Sequence, residues 1–387
     1  MISSIPKVIL HEHIEGSVTP EMAKILAKKY GVSLTDDFLF SEEEYDRNEF
    51  PNGRYNYDES DFNAFVTTYD TVASLVREPE DYYLIVKDYL QRNAEQGLIY
   101  CEIITSAFHF CYTEENGKGY LDSDRYDQII KEVERAINEI KAQFGTETRL
   151  HACAVRHLNQ QQINSSADFI KQHPKTIITG FNIAGNEMAG QFQDFTYVHQ
   201  LVDSIPLKKS YHAGEICGPD SIHQALEFGA VRIGHGISAI KDEALIEKLV
   251  TNGITLEVSP TSNRILVTEL NQSLDNHPLR KLYDKGVRLS INTDDAGLFG
   301  TDVQKEYSIA HTQFGFSRVE LLDVTLCALE AAFVEENIKQ KLVKQVYQQF
   351  SYTDWQSLNE LISTTPNQAL KTRLKARLLH CPHPGNL

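Results

Sequence analysis

Eight short runs rich in aliphatic and β-branched residues recur up to Ile291, and helical patterns separate them. They occupy residues 8–10, 98–105, 149–155, 176–183, 209–212, 231–233, 254–258 and 287–291. Runs of this length and composition read as buried strands. Strands that alternate with helices pair in parallel, and eight of them predict a closed (β/α)8 TIM barrel. The first helix has clear end signals: Thr19 as N-cap, Pro20 at the first position, Glu21 in the first turn and Gly31 as the stop. The expected organisation is one barrel domain over residues 1–387 with extra helices. Residues 318–387, apolar at Leu321, Leu322, Val324, Leu326, Leu329 and Phe333, should pack on the barrel's outside.

Two stretches depart from the simple alternation. Residues 32–60 are acidic and aromatic, with Glu42-Glu43-Glu44 and Tyr45, Phe50, Tyr55 and Tyr57 around a Pro51-Asn52-Gly53 turn. Residues 32–65 are therefore expected to be a lid insertion after the first strand; an ordinary surface excursion is the alternative. One helical region should then run from about Asp61 to Gln96, and Phe62 and Phe65, three apart, would share one face towards a ligand.

The charge balance narrows the partners. Lys plus Arg total 37 and Asp plus Glu 54, for a net charge of −17. So acidic a surface repels phosphate backbones and anionic lipid, so neither nucleic acid nor membrane is expected as a partner. A small neutral or cationic molecule in a local cleft is compatible with it. The six cysteines form no CxxC pair and read as reduced thiols. With no targeting segment or membrane span in the sequence, a cytoplasmic protein is expected. Nothing in the sequence specifies an oligomeric state.

A barrel gathers the C-terminal ends of its strands at one mouth. There the sequence places His11 and His13 after strand one, Gly185 after strand four, and His212 with Glu215 after strand five. His235 follows strand six, and Asp294 with Asp295 follows strand eight. In His11-Glu12-His13 alternate residues point the same way, so both imidazoles can reach one ion while Glu12 faces away. His212 and Asp294 can complete the set. Three imidazoles and a carboxylate suit Zn²⁺, which activates water at neutral pH. Binuclear barrels bridge two ions with a lysine at the end of strand four, but residues 180–187 contain none, so one zinc per chain is expected. Glu215, near the ion without binding it, can serve as proton donor. His235 can orient water, and Asp295 can bind a polar substrate edge. The glycines Gly185, Gly214, Gly234 and Gly236 would let backbone approach a flat ligand.

These motifs, in order, resemble those of the adenosine and adenine deaminases: residues 6–17 around His11-Glu12-His13, then Phe181-Asn182-Ile183-Ala184-Gly185-Asn186-Glu187, His212-Ala213-Gly214-Glu215, Arg232-Ile233-Gly234-His235-Gly236 and Ser290-Ile291-Asn292-Thr293-Asp294-Asp295. The resemblance implies zinc-dependent hydrolytic removal of a purine C6 amino group. It implies His11, His13, His212 and Asp294 as ligands and Glu215 as the acid at N1. It also implies His235 at the attacking water, Asp295 at N7 and Gly185 at N3. Three positions depart from the nucleoside-type pattern: Glu15 in place of Asp, Ala296 in place of Pro, and Ser259-Pro260 in place of Cys-Pro. The nucleoside-like Ala184-Gly185 favours adenosine and 2′-deoxyadenosine as substrates, with Glu15 at the ribose. The alternative, which Glu15 itself favours, is free adenine or another modified purine nucleoside.

Overall fold

The computed structural model describes residues 2–382 apart from 36, 37, 60, 117 and 271. Eight parallel strands form one sheet in sequence order: β1 (Lys7–Ile9), β2 (Leu98–Ser106), β3 (Glu147–Val155), β4 (Ile178–Ala184), β5 (Lys208–Ala213), β6 (Arg232–His235), β7 (Thr255–Val258) and β8 (Arg288–Ile291). This is the expected (β/α)8 barrel. Nearly every strand residue is buried, as strands covered on both faces require.

The seam between β1 and β8 closes just beyond the named strands. His13 N–H donates to the Asp294 carbonyl at 2.7 Å, and Asp294 N–H donates to the His11 carbonyl at 3.0 Å. Closing the barrel therefore places His11, His13 and Asp294 side by side. A short antiparallel hairpin, 112–121, is the other sheet among the described residues.

The first helix, α1 (Pro20–Lys29), begins as its sequence predicts, with the Thr19 side chain accepting from Met22 N–H. The helical region expected over 61–96 is instead two helices, α2 (Phe62–Ala73) and α3 (Pro79–Glu95). Glu78 is extended, as a residue before proline must be, so Pro79 starts a new helix rather than continuing the old one. The turn at 51–53 forms, with Gly53 N–H donating to Phe50 O at 3.1 Å.

The helix Arg318–Ala331 packs on β1 and β8, and Thr325 Oγ1 donates to the Pro6 carbonyl at 3.0 Å. Beyond it, Phe333 N–H donates to Glu102 at 2.6 Å and its ring lies 3.7 Å from the Arg232 guanidinium. Arg232 joins Glu102 and Glu257, each at 2.5 Å, in a fully buried charge network between the strands. No helix among the described residues is long and apolar enough to cross a membrane.

Candidate active site

Three imidazoles and a carboxylate converge where the strands end. His11 Nε2 lies 3.0 Å from His212 Nε2 and 3.2 Å from Asp294 Oδ1; His13 Nε2 lies 3.3 Å and 3.5 Å from the same two atoms. The outer ring nitrogens of His11 and His212 are occupied. His11 Nδ1 donates to Glu257 at 2.8 Å, and His212 Nδ1 donates to Asn182 Oδ1 at 2.8 Å. Neutral rings with protonated Nδ1 carry bare lone pairs on Nε2, so these two nitrogens repel unless a cation or proton stands between them. A tetrahedral ion bound at about 2.0–2.1 Å holds its ligand atoms about 3.3–3.4 Å apart, close to the observed edges. The residues fit one divalent cation. In its place a proton can serve: burial pulls the His11 pKa down, but hydrogen bonds to Asp294 and Glu257 outweigh this and raise it to about 10.

His235 stands beside this cluster. One atom each from His11, His212, His235 and Asp294 falls within 4.8 Å. Yet the His235 ring is 3.9 Å from Asp294 and meets Oδ2, which Ser262 Oγ holds at 2.7 Å, whereas His11 and His13 approach Oδ1. A chain of hydrogen bonds sets its tautomer. Leu279 N–H donates to His277 Nδ1, so His277 Nε2 donates to Asn263 Oδ1; Asn263 Nδ2 then donates to His235 Nδ1 at 3.0 Å. The proton of His235 is thereby left on Nε2, and burial lowers its pKa to about 4, keeping the ring neutral. Both His235 and Asp294 adopt positive φ, +59° and +65°, a conformation rare outside glycine and asparagine and common at functional sites.

Two further carboxyl groups are shifted towards their neutral form. Burial first, and then the Asp294 charge, raises both Glu215 and Asp295 well above the usual carboxylate range. Glu215 Oε1 and Asp295 Oδ1 are buried without hydrogen-bond partners, so each can turn a proton towards a ligand. Gly16 makes room for Asp295, because a Cβ there would fall 1.8 Å from Asp295 Oδ1.

These groups line one cavity that opens to solvent. His13, His212, His235, Glu215, Asp294, Asp295, Gly185 and Glu15 are all on its wall, and so are Phe62 and Phe65. His11 lies deeper, behind the wall. The α2 face at the cavity is broader than the sequence indicated, since Val66, Tyr69 and Asp70 join the two phenylalanines. Phe65 is buried and stacks on Phe299 at 5.2 Å between ring centroids, while Phe62 is half-buried. Glu15 Oε2 accepts from Tyr69 Oη at 2.9 Å, and Oε1 is buried with no partner.

The glycine expectation needs correction. Of the four, only Gly185 lines the cavity. Gly234 makes room for a side chain, since a Cβ there would come 2.9 Å from the His11 ring. Gly214 and Gly236 pack against Ile222, Ser238 and Leu256.

Several supporting residues were not legible as functional: Glu257, Asn182, Asn263 and Ser262, which hydrogen-bond directly to His11, His212, His235 and Asp294. Glu12 does face away from the imidazoles, as alternation predicts. It accepts from Thr293 Oγ1 and from Ala296 N–H, gripping the chain on both sides of Asp294 and Asp295.

Comparison with known proteins agrees with this geometry. The adenosine deaminase family model matches residues 6–349. The chain is 36% identical over 348 residues to the adenine deaminase of Sinorhizobium medicae, covering 90% of this chain and all of that one. Among solved structures it resembles the adenine deaminase of Arthrobacter aurescens, with TM-score 0.75 and 23% identity over 89% of this chain and 99% of that one. It also resembles an amidohydrolase of Burkholderia ambifaria with bound Zn, with TM-score 0.74 and 19% identity over 90% and 91% of the two chains. A family match that takes in every strand end carrying the histidines and aspartates leads to one conclusion: the chain belongs to the adenosine deaminase family and is an aminohydrolase of that class.

Proposed function

We propose that the protein converts adenine to hypoxanthine and ammonia, with one Zn²⁺ held by His11, His13, His212 and Asp294. The observation that carries the choice of free base is the buried, unpartnered Oε1 of Glu15 on the cavity wall. Adenine has an imidazole N–H to donate to it. A nucleoside has replaced that N–H with a sugar and can reach the oxygen only through a ribose hydroxyl. The 36% identity to an adenine deaminase supports the same choice. The expectation from Ala184-Gly185, which favoured adenosine and 2′-deoxyadenosine, thus gives way to the alternative. A nucleotide fits worse still: no Lys or Arg lines the cavity, whereas Glu15, Asp70, Glu215, Asp294 and Asp295 do.

The ion, when bound, supplies Lewis-acid activation of water. The chain's own groups do the rest. Glu215, protonated by burial, donates to N1, which makes C6 electrophilic. Asp295, also protonated, donates to N7, and Gly185 offers its backbone at N3. His235, neutral with its proton on Nε2, orients the attacking water at C6. Addition of water and loss of ammonia leave a C6 carbonyl. The lid expected over residues 32–65, of which 36, 37 and 60 lie outside the described residues, is supported by its last part, since Phe62 and Phe65 at the start of α2 stand on the cavity wall and can keep bulk water from the ring.

The test is ammonia release from adenine, adenosine, 2′-deoxyadenosine and AMP. Adenine should have the highest kcat/KM. A higher value for adenosine would return the assignment to the nucleosides.

A further inference from the structure

Glu187 lies two residues beyond Gly185 and is buried, but its carboxylate turns into the segment that carries Glu215. Oε2 accepts from the N–H groups of Glu215, Ile216 and Cys217 at 3.0, 2.8 and 2.9 Å. Oε1 accepts from Gly214 N–H at 2.5 Å and Ser221 Oγ at 2.6 Å. Four consecutive backbone amides thus close around one carboxylate, a nest in which the anion is the protein's own side chain. The segment needs such a support, because the β5 ladder ends at Ala213 and the next helix starts at Pro219. The Glu187 segment is fixed in turn, with Arg156 donating to the Gly190 carbonyl at 2.7 Å. By contrast, among the described residues no hydrogen bond aims the carboxyl of Glu215, whose Oε1 stands 3.5 Å from His235 Nδ1.

We propose that Glu187 is a positioning residue for the deamination: its carboxylate fixes the backbone of Glu215 against the segment of Gly185, so that the acid and the ring contact are held as one unit. This rests on the role of Glu215 given above. A glutamine at 187 offers one acceptor oxygen where five donors converge and sets its NH₂ against a backbone N–H or Ser221. The turn then relaxes, and Glu215 loses its aim without any group leaving the cavity wall.

A double-mutant cycle on the metal-loaded full chain, with adenine as substrate, separates positioning from general support. Glu187→Gln should lower kcat about 30- to 100-fold, within the range of a lost acid, and change KM less than about threefold. Metal content should be unchanged. In a Glu215→Gln background the same substitution should lower kcat less than about threefold, because the aimed group is already gone. An equal factor in both backgrounds, or an unchanged kcat in the single variant, overturns the proposal. Should Glu187→Gln fail to fold, Ser221→Ala removes one donor and enters the same cycle. It should cost about three- to tenfold alone and nothing measurable with Glu215→Gln, as expected for the net worth of one ordinary hydrogen bond when four donors remain; equal factors again overturn the proposal. If Glu215→Gln itself keeps the parental rate, the acid assignment fails and the positioning role falls with it. Collapse of Glu215→Gln beside a fully active Glu187→Gln refutes the positioning role alone.

Discussion

The Nε2 atoms of His11 and His212 face each other at 3.0 Å while their Nδ1 atoms donate outward, to Glu257 and Asn182. Two neutral rings so arranged cannot hydrogen-bond to one another, so the gap between them is filled by a proton or by a cation, and metal content decides which. We expect one Zn²⁺ per chain by elemental analysis, loss of activity on chelation and recovery on zinc addition; two tightly held ions would rule out the mononuclear site. His13→Ala should lose both ion and activity. Glu257→Gln tests the outer contact: weakening the partner of a metal-ligating histidine typically lowers metal affinity about 10–100-fold, which a competition titration reads directly.

Glu215 differs from the four proposed ligands in having a buried oxygen without a hydrogen-bond partner and a carboxyl whose pKa burial and Asp294 raise well above the usual range. Glu215→Gln preserves shape and removes the acidic proton. It should retain its zinc and lose about 10²–10⁴-fold in kcat. Retention of more than a third of the parental rate would move the proton donor elsewhere.

How far the sequence reached is clearest along the seam of the barrel. Alternation in His11-Glu12-His13 correctly separated the imidazoles from Glu12, because a strand's period of two survives in the extended residues beyond β1. What it could not show was where Glu12 goes, since Thr293 and Ala296 are its partners only after closure. Gly234 was misread for the same reason. Its neighbour, the His11 ring, lies more than 220 residues away in the chain and only 2.9 Å from where a Cβ would stand. Glu257 carries no local signal, and Asn182 and Glu187 stand inside a family motif that says nothing of their partners; the function of all three is a property of register. The split of α2 from α3, in contrast, was readable from Glu78-Pro79 and was missed by following apolar spacing across a proline.

Phe62 and Phe65 share the cavity wall but differ in what lies behind them. Phe65 is buried and stacked on Phe299, so Phe65→Ala should destabilise the fold by about 3–5 kcal/mol as well as impair turnover. Phe62 is half-buried. Phe62→Ala should leave the melting temperature within a few degrees and raise KM for adenine. Unchanged KM and kcat in both variants would reduce the segment to surface decoration.

Glu306 offers a pH signature away from the metal. Burial raises its pKa to about 7, only partly countered by hydrogen bonds from Thr261 and Thr301. The folded value lies above the unfolded value of about 4.3, so the folded state binds the extra proton between them. Its contribution is fully present below the unfolded pKa and is lost as pH rises through 7. From pH 6 to pH 8 the loss should be about 1.4 kcal/mol. Glu306→Gln mimics the protonated group and should flatten that part of the profile. Thermal or denaturant unfolding of both proteins at the two pH values gives the difference; parallel profiles would mean that Glu306 ionises freely in the fold.

The substrate prediction turns on one carboxylate oxygen. Tyr69 Oη holds Glu15 Oε2 at 2.9 Å and leaves Oε1 buried and unpaired on the cavity wall. Tyr69 thus fixes which oxygen is free, and the free base supplies the imidazole N–H that this oxygen lacks. An unsatisfied buried acceptor costs about 1–3 kcal/mol, so a ligand that satisfies it gains roughly 5- to 150-fold over one that does not. Glu15→Gln keeps the size of the side chain but weakens the acceptor. It should lower kcat/KM for adenine at least about tenfold and narrow the preference over adenosine, whose purine nitrogen bearing the sugar has no hydrogen to give. Tyr69→Phe should act in the same direction and more weakly, since it frees the carboxylate to rotate without removing it. Steady-state kinetics of the three proteins on both substrates decide the matter. If Glu15→Gln leaves adenine turnover intact while raising KM for adenosine, Glu15 meets a ribose hydroxyl after all and the nucleoside is the substrate.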